Sequence, residues 1–217
     1  MSKYDIAESD MNNMTELGVD AIDALISSLD IAPFLEVFPI FRAILVAARA
    51  SVNYTDMRIK YRLVSFLKGI GTVGEDELND FIRTTASDEE KTGQRMVDAL
   101  YDMESNKKAA LAGRVYRYCL LNKYDLDAFY RILSCINRVY YEDLFVLSRI
   151  KNLKNSQIAN DGNVESVEII DGLYASGLLS NKGTGSDVKG GRFVLNDGLD
   201  IFGLNKYGEA IAAVLES

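Results

Sequence analysis

The distribution of proline is the feature of this sequence that most constrains its fold. Both prolines, Pro33 and Pro39, lie before residue 40, and residues 40–217 contain none. Proline lacks an amide hydrogen and breaks a helix when it lies in the helix interior. Through the proline-free part, apolar residues recur at the three- and four-residue spacing of helices that bury one face. We therefore predict a mainly α-helical protein.

Local signals for helix ends divide the first 150 residues into a series of short helices. Asp56 and Asp125 are candidate N-caps, because a short side-chain oxygen there accepts a bond from an unpaired amide of the first turn. Ser87 followed by Glu90 predicts a capping box, and Gly69 with Gly71 predicts a helix end. The predicted helices are 15–29, 39–50, 56–68, 75–84, 87–103, 107–121, 126–137 and 139–151. This part is predicted to be a helical bundle.

The composition of the chain changes after Lys151. Residues 152–165 are rich in Asn, Asp and Gly, which predicts a loop or linker. They are followed by a predicted helix at 164–176, a glycine-rich stretch at 183–191, short strands at 192–195 and 200–204, and a helix at 206–215. We therefore predict two domains: a helical bundle over 1–151, with an acidic arm at 1–15, and a small α+β domain over 152–217.

The residue types that are absent exclude several kinds of chemistry. The chain has no histidine, so it cannot build a His-dependent triad or a His metal site. Its two cysteines, Cys119 and Cys135, lie in apolar helical segments and are predicted to be reduced core residues. The acidic groups at 75–80 and 88–90 lie at predicted helix starts, where they favour the helix dipole without any metal. We expect no catalytic site, no cofactor and no metal.

Residues 69–74 read Gly-Ile-Gly-Thr-Val-Gly and match the dinucleotide-binding pattern G-x-G-x-x-G. That site needs a strand before the glycines and a helix N-terminus free for the phosphates after them. Here a helical segment precedes the glycines, and the carboxylates of Glu75, Asp76 and Glu77 begin the next helix. The pattern is therefore interpreted as a connection between helices.

The formal charge alternates strongly along the chain. Residues 1–39 carry −7, residues 40–70 carry +5, and residues 71–110 carry −5. An apolar helix followed by a basic one is typical of proteins that lie on anionic membranes. The alternative, which we favour, is that the apolar helix is buried and that its basic neighbour pairs with the plentiful acids of the same chain. The candidate partner- or lipid-binding residues are Arg42, Arg49, Arg58, Lys60, Arg62 and Lys68.

Arginine alternates with tyrosine between residues 114 and 141, beginning with Arg114, Tyr116, Arg117 and Tyr118. Such a segment can neutralise and stack on a nucleic-acid strand. It is equally typical of a helical core in which tyrosine rings are buried and arginine reaches outward. The apolar residues lie at the same helical spacing, which favours the core.

The C-terminal segment has the order helix, Ser-Gly-Leu-Leu at 176–179, glycine-rich hairpin and final helix, which begins with Leu-Asn-Lys-Tyr-Gly at 204–208. This order resembles the second half of a winged-helix domain, in which the last strand leads into an "LT-x-x-G" helix. The resemblance implies a wing, and its candidate contacts are Lys182, Lys189 and Arg192. Because the helix at 164–176 carries only acidic charges, we expect the wing to bind protein or to be structural, not to read DNA.

The helical part has four further segments in a characteristic order: "FLKGI" at 66–70, "SNKKAALAGRVYRYCL" at 105–120, "LDAFYRILSCIN" at 126–137 and "EDLFVLSRI" at 142–150. This order resembles a family of uncharacterised bacterial proteins that are common in prophages and mobile islands, some of which accompany abortive-infection genes. The resemblance implies an antiviral or bacteriophage setting and supplies no catalytic residues.

These observations predict a non-enzymatic, acidic interaction or regulatory protein that binds a protein partner. Two alternatives stay open: a membrane-associating effector that uses residues 31–70, and a nucleic-acid-binding winged-helix protein. A homo-oligomer is also compatible with the sequence. A cytoplasmic location is expected, because residues 1–30 lack the basic start of a signal peptide and the apolar stretch 31–46 is interrupted by charges and prolines.

Overall fold

The computed structural model describes residues 54–71, 89–153, 157–159, 162, 164–189 and 192–216. Within them the protein is mainly helical, with a small antiparallel sheet near the C-terminus. In chain order the elements are α1 (Tyr54–Ile70), α2 (Glu89–Asp102), α3 (Asn106–Leu121), α4 (Leu126–Arg138), a 3₁₀ turn (Glu142–Leu144), α5 (Phe145–Asn152), β1 (Gln157–Ala159), α6 (Val167–Ala175), β2 (Leu179–Lys189), β3 (Arg192–Leu204) and α7 (Lys206–Glu216). The predicted mainly α-helical class is confirmed.

The chain divides into two compact units, Met1–Tyr130 and Arg131–Ser217. The composition of the sequence had suggested a boundary after residue 151, whereas the units separate earlier, within α4. The reason is that α5 packs on α7, β1 and β3, so that this helix belongs with the sheet that follows it. A change of composition marks the linker, but it does not show on which side of the linker a helix packs.

Helices α1 and α3 pack together in the first unit with their backbones in close contact. A Cβ added to Gly113 would collide with the carbonyl oxygen of Phe66 and lie 2.9 Å from the amide nitrogen of Ile70. A Cβ added to Gly69 would collide with the carbonyl oxygen of Ala110. Each helix therefore presents a glycine to the backbone of the other, and no larger residue fits at either position without separating the helices.

Two arginines link neighbouring helices of the first unit. Arg62 in the middle of α1 donates a hydrogen bond to the carbonyl of Tyr101, in the last turn of α2. Arg117 of α3 donates from Nη1 to the carbonyl oxygen of Ile70, the last residue of α1, at 3.4 Å.

An aromatic cluster fills the core of the first unit. The ring of Tyr116 meets the rings of Phe66 and Phe129 edge to face, with centroids 6.0 Å and 5.2 Å apart. Phe129 also contacts Tyr130, and the guanidinium of Arg95 lies 4.0 Å from the centroid of the Tyr130 ring. Edge-to-face pairs of this kind stabilise a core beyond the area that they bury.

The helix ends are set by local side-chain chemistry. Asp125 accepts a hydrogen bond from the amide of Ala128 at 2.7 Å, which confirms it as the N-cap of α4. Helix α3 ends at Leu121; Lys123, two residues later, has a left-handed φ of 56°, and the amide of Tyr124 donates to the carbonyl of Cys119 at 2.9 Å. This is a Schellman arrangement in which a lysine occupies the position usually held by glycine. Helix α1 ends at Ile70 and is followed by Gly71, whose φ of 64° is left-handed, as the sequence predicts. Gly69, the other predicted stop, lies inside α1.

The sheet of the second unit has the strand order β1-β3-β2, with all pairs antiparallel. β2 and β3 form a long hairpin whose register runs from Leu179 opposite Leu204 to Lys189 opposite Arg192, with two irregularities. The glycine-rich stretch at 183–191, expected in a hairpin, supplies residues 183–189 of β2, and the two short strands predicted at 192–195 and 200–204 are parts of one continuous strand, β3. The partner strand β3 supplies the backbone hydrogen bonds that the weak strand propensity of this segment does not predict.

Asn205 joins the end of α6 to the start of α7. Its Nδ2 donates to the carbonyl of Gly177 at 2.7 Å, while its Oδ1 accepts from the amides of Tyr207 and Gly208. Gly208 lies against the backbone of Leu178, and a Cβ there would be 3.3 Å from the Leu178 carbonyl carbon. The segments Ser-Gly-Leu-Leu and Leu-Asn-Lys-Tyr-Gly, which are distant in sequence, thus form one packed corner.

Several predicted boundaries differ from those in the structure. Helix α1 begins at Tyr54, so Asp56 lies inside it and is not its N-cap. The predicted helix 139–151 is a 3₁₀ turn followed by α5, and the predicted linker 152–165 contains the short strand β1. The predicted helices at 15–29, 39–50 and 75–84, and the acidic arm at 1–15, lie outside the described residues.

Candidate functional site

Only some of the candidate basic residues at 40–70 are exposed in the structure. Lys60 and Arg62 are buried, Lys68 is half-buried and Arg58 is exposed. Arg42 and Arg49 lie outside the described residues. Two of the six candidate residues are therefore enclosed in the first unit, which agrees with the interpretation that this basic helix packs within the chain.

Arg62 has a structural role at its buried position. It is only 4% exposed, and its guanidinium donates to the carbonyls of Leu100 and Tyr101 in the last turn of α2. The last carbonyls of a helix have no partner within the helix, and a cation there also favours the helix dipole. Arg62 therefore caps α2.

The ion pair between Lys108 and Glu104 shows the same use of cations in the core. The ammonium of the buried Lys108 lies 3.0 Å from the carboxylate of the half-exposed Glu104, one turn away. The aliphatic stem of lysine fills apolar space while its charge reaches an acid near the surface. These two buried cations thus stabilise the fold of the first unit.

The Arg–Tyr segment has the arrangement expected of a helical core. Tyr116 is fully buried in the aromatic cluster, whereas Arg117 is exposed and Arg114 is half-buried. Tyr140 is the most exposed large aromatic residue of the part of the chain that the structure describes, at 72%. The stacking platform that single-stranded nucleic acid requires is therefore not formed at Tyr116.

Both cysteines are buried, and neither is in a disulfide. Burial raises the pKa of the Cys119 thiol to about 12, and the nearby carboxylate of Asp125 acts in the same direction. Burial also raises the pKa of Cys135, against a smaller lowering by Arg138. A thiol is nucleophilic as its thiolate, so these pKa values make both cysteines inert at neutral pH. The phenol of Tyr116 has a raised pKa for the same reason.

The three candidate wing residues all lie on the β2–β3 hairpin. Lys182 is exposed and lies at an irregularity of the register, between Asn181 and Gly183. Lys189 and Arg192 are partners in the last pair of the hairpin. The fold thus brings Lys189 and Arg192 together at one end of the sheet.

Helix α6 presents a mixed acidic and apolar surface that the sequence indicated only in part. Its buried side carries Ile170 and Leu173, and Ser166 caps its first turn by accepting from the amide of Ile169 at 3.4 Å. Six of its nine residues are exposed; together they are called the α6 face. The α6 face consists of Val167, Glu168, Asp171, Gly172, Tyr174 and Ala175. The acids were noted from the sequence, but the exposure of Val167 and Tyr174 was not.

Two features distinguish the α6 face from an ordinary solvent-exposed side of a helix. Tyr174 is 46% exposed, and at the same time its ring packs against the ring of Phe202 in β3, tilted by 45° with centroids 4.8 Å apart. Gly172 lies in the helix interior, and no described atom of the surrounding chain lies within 4 Å of a Cβ built on it. A glycine inside a predicted helix is the sequence signal by which this face could have been found.

The surroundings of the α6 face are ordered by an ion pair. Arg149 of α5 pairs with Glu165, which lies just before the Ser166 cap and is mostly buried. Val164, beside it, is 55% exposed. This pair fixes the start of α6 against α5.

Among the residues that the structure describes, no group of three or more Cys, Asp or Glu side chains is arranged to hold a metal ion. No helix in the same ranges is both long enough and apolar enough to cross a membrane.

Comparison of the chain with models of known protein families, with curated protein sequences and with solved structures gives no match.

Proposed function

We propose that this protein is a non-catalytic interaction or regulatory protein that binds a protein partner through its C-terminal unit. The observation that carries the proposal is the α6 face, where the exposed ring of Tyr174 and the exposed Val167 lie beside Glu168 and Asp171 on a helix without any Lys or Arg. Aromatic residues that are exposed yet already held in place are typical anchors of protein interfaces.

The C-terminal unit is proposed to be a winged-helix variant in which α6 and the β2–β3 hairpin form the working surface. The strand order β1-β3-β2, the hairpin and the following helix favour this assignment. The packed corner formed by Asn205 and Gly208 corresponds to the "LT-x-x-G" position that the sequence resembles. A helix that binds DNA normally carries basic residues. Helix α6 carries none, which favours a protein partner.

The proposed setting is phage–host conflict inside a bacterial cell, as part of a prophage or a defence island. It is supported only by the order of segments at 66–70, 105–120, 126–137 and 142–150, which resembles that prophage-borne family. The membrane alternative loses support because Lys60 and Arg62 are buried.

Purification of the tagged full chain from its own cells, followed by reconstitution with the purified partner, tests the proposal. We expect a complex of fixed stoichiometry that survives gel filtration. A chain that elutes alone, or that turns over a substrate without a partner, would contradict the proposal.

Nucleic-acid binding through the wing is the second candidate function, because the hairpin register places Lys189 opposite Arg192. Phosphate contacts by such a pair give binding that weakens steeply with salt. A mobility shift with duplex DNA and with single-stranded RNA tests it: a salt-sensitive shift that Lys189→Ala/Arg192→Ala abolishes would favour this function, and its absence would remove it.

A further inference from the structure

We infer that the C-terminal end of α4 is a docking surface for an acidic segment of a protein partner, in which Asp or Glu lies beside an apolar side chain. The inference rests on the proposed protein-binding function and adds a surface of the C-terminal unit that shares no residue with the α6 face. This surface, called the α4 corner, consists of Arg131, Ser134, Arg138 and Tyr140. Two properties support it: a row of exposed arginines, and an exposed aromatic ring held on an ordered turn.

The arginines of the α4 corner lie on one side of the helix. Arg131, Ser134 and Arg138 are all exposed and are spaced three and four residues apart, so they form one row. At a rise of 1.5 Å per residue, the two arginines are about 10 Å apart along the helix axis. The other sides of the same turns are buried; they carry Ile132, Leu133, Cys135 and Ile136. The row is therefore the outer side of α4.

The charge of this row selects an acidic partner. Within the described ranges, neither Arg131 nor Arg138 makes an ion pair or a side-chain hydrogen bond, and Asp127, one turn before Arg131, is not paired with it. Arg138 lowers the pKa of the Cys135 thiol, but burial raises that pKa by more, so the thiol is neutral at pH 7 and does not compensate the guanidinium. Arg138 also favours the helix dipole in the last turn, whereas Arg131 lies in the middle of α4, where that effect has faded. An acidic segment along the row is attracted at both positions.

Tyr140 supplies the aromatic part of the surface. Although Tyr140 is 72% exposed, its backbone is ordered, because its carbonyl accepts a hydrogen bond from the amide of Asp143 at 3.1 Å. Val139 before it and Leu144 after it are both buried, so the chain is anchored on either side of the exposed ring. A partner that packs on Tyr140 therefore does not have to order the backbone there, and the entropic cost of binding is low.

The residue types of the α4 corner are those of a protein interface. Tyrosine and arginine contribute most of the binding energy in such interfaces, whereas lysine and acidic residues are depleted from them. Glu142 is exposed and lies two residues after Tyr140. Because Glu142 repels acids at that edge, the acidic residues of the partner are expected to lie over α4, and its apolar side chain over Tyr140.

Two arginines favour a protein segment over a nucleic-acid strand or a membrane. The affinity for a strand depends on the number of phosphates that are neutralised, and attraction to anionic lipid likewise grows with each basic residue. Residues 131–217 carry nine basic and eleven acidic side chains, a net charge of −2, so the unit as a whole does not attract a polyanion. A protein segment combines two ion pairs with apolar contact at Tyr140.

Selection from a library of random 16-residue peptides displayed on phage, with the immobilised full chain as bait, tests the inference. We expect enriched peptides to carry at least two Asp or Glu residues together with Leu, Phe or Trp. Their affinity for the chain should fall with salt, and Arg131→Glu/Arg138→Glu should weaken it by about tenfold or more, since like charges replace two attractions. Tyr140→Ala should weaken it by about fivefold or more, because the apolar contact is lost.

Lys182→Glu/Lys206→Glu is the matched control. Both lysines are exposed and lie in the same unit, on β2 and α7, so the net charge of the chain changes by the same amount. Peptide affinity should change less than about twofold in this variant at physiological salt, where distant exposed charges are screened. Arg131→Gln/Arg138→Gln removes the two charges without reversing them. It replaces the glutamate variant if circular dichroism shows that the latter does not fold, and it should weaken binding by about threefold or more.

The outcomes separate the surface from the function. Enriched peptides that lack acidic residues, or that bind the charge-reversed chain as well as the parent, would overturn the α4 assignment and leave the protein-binding function in place. An equal loss of affinity in the lysine control would show general attraction to the chain, and this too would overturn the assignment. A selection without any enriched peptide would have the same consequence, while partner purification tests the function independently.

Two further probes identify the wrong class of occupant. These are a single-stranded oligothymidylate and vesicles of phosphatidylcholine with phosphatidylglycerol. Salt-sensitive binding of either one that Arg131→Glu/Arg138→Glu abolishes, in a chain that selects no acidic peptide, would show that the α4 corner binds a nucleic acid or a membrane and would overturn the inference. We expect neither probe to bind at physiological salt.

Discussion

Helices α3 and α6 each have a glycine in their interior, and the two glycines have opposite surroundings. Gly113 of α3 touches the backbone of α1, so that even one methyl group has no room. Gly172 of α6 faces open space among the described residues. In the first case the packing within the chain explains the residue. In the second case no described residue explains the glycine.

The ionisable groups show a related contrast between the core of the first unit and helix α6. In the first unit Arg62 and Lys108 are buried against a helix end and an acid, and Tyr116 and Cys119 are enclosed in the core. On α6 both charged residues are exposed, although elsewhere in the second unit Arg149 and Glu165 form an ion pair. Substitutions of these core residues should therefore affect stability, whereas substitutions on α6 are expected to affect binding.

The largest expected effect is that of Gly113→Ala. Because the new Cβ collides with backbone atoms of α1, the helices must separate, and we expect a loss of about 3 kcal/mol or more in the free energy of unfolding. Urea denaturation followed by circular dichroism measures it. A loss below about 1 kcal/mol would contradict the close crossing, since overpacking of this kind costs more than that.

Arg62→Met should have the next largest effect. The substitution keeps an apolar stem but removes the donor for two carbonyls at the end of α2, and we expect a loss of about 2 kcal/mol. Arg58→Met is the matched control, because Arg58 is on the same helix and is exposed; it should change stability by less than about 0.5 kcal/mol. Equal effects of the two substitutions would show that the position of Arg62 at the helix end is unimportant.

High pH should lower the free energy of unfolding of the first unit, because the thiol of Cys119 holds its proton more tightly in the folded chain than in the unfolded one. Its pKa is about 12 in the folded chain against 9.0 ordinarily, so between these values the unfolded chain has lost a proton that the folded chain keeps. The unfolded state is therefore favoured as pH rises, by about 1.4 kcal/mol at pH 10 from this thiol alone.

Urea denaturation at pH 7.5 and pH 10 checks this expectation in the parent chain and in Cys119→Ala. The pH-dependent loss should shrink in the variant, apart from a contribution of Tyr116, whose pKa is raised by burial. Rapid reaction of Cys119 with a thiol reagent in the native state at pH 8 would contradict its buried position.

The local features of this fold could be predicted from the sequence, whereas the long-range ones could not. Asp125 as a cap and Gly71 as a helix end depend on neighbours within four residues, and both are confirmed. The role of Gly113 depends on which helix crosses α3, and no local pattern contains that information. β2 was missed in part for a similar reason, since its register with β3 pairs residues as distant as Leu179 and Leu204.

The candidate site shows the same limit. The acids Glu168 and Asp171 were visible in the sequence and argued against DNA. The exposure of Tyr174 was not visible, because it depends on how α6 lies against Phe202 of β3. Charge is a property of composition, whereas exposure of an aromatic ring is a property of the tertiary fold.

The smallest expected effect tests the comparison of the two glycines directly, because it has the opposite sign to that of Gly113→Ala. Gly172→Ala should raise the free energy of unfolding by about 0.5–1 kcal/mol, since alanine restricts the unfolded chain and meets no described atom in the folded one. Thermal unfolding of the parent chain and the variant measures the difference. A loss of stability would show that α6 is packed more closely at this position than the described residues indicate.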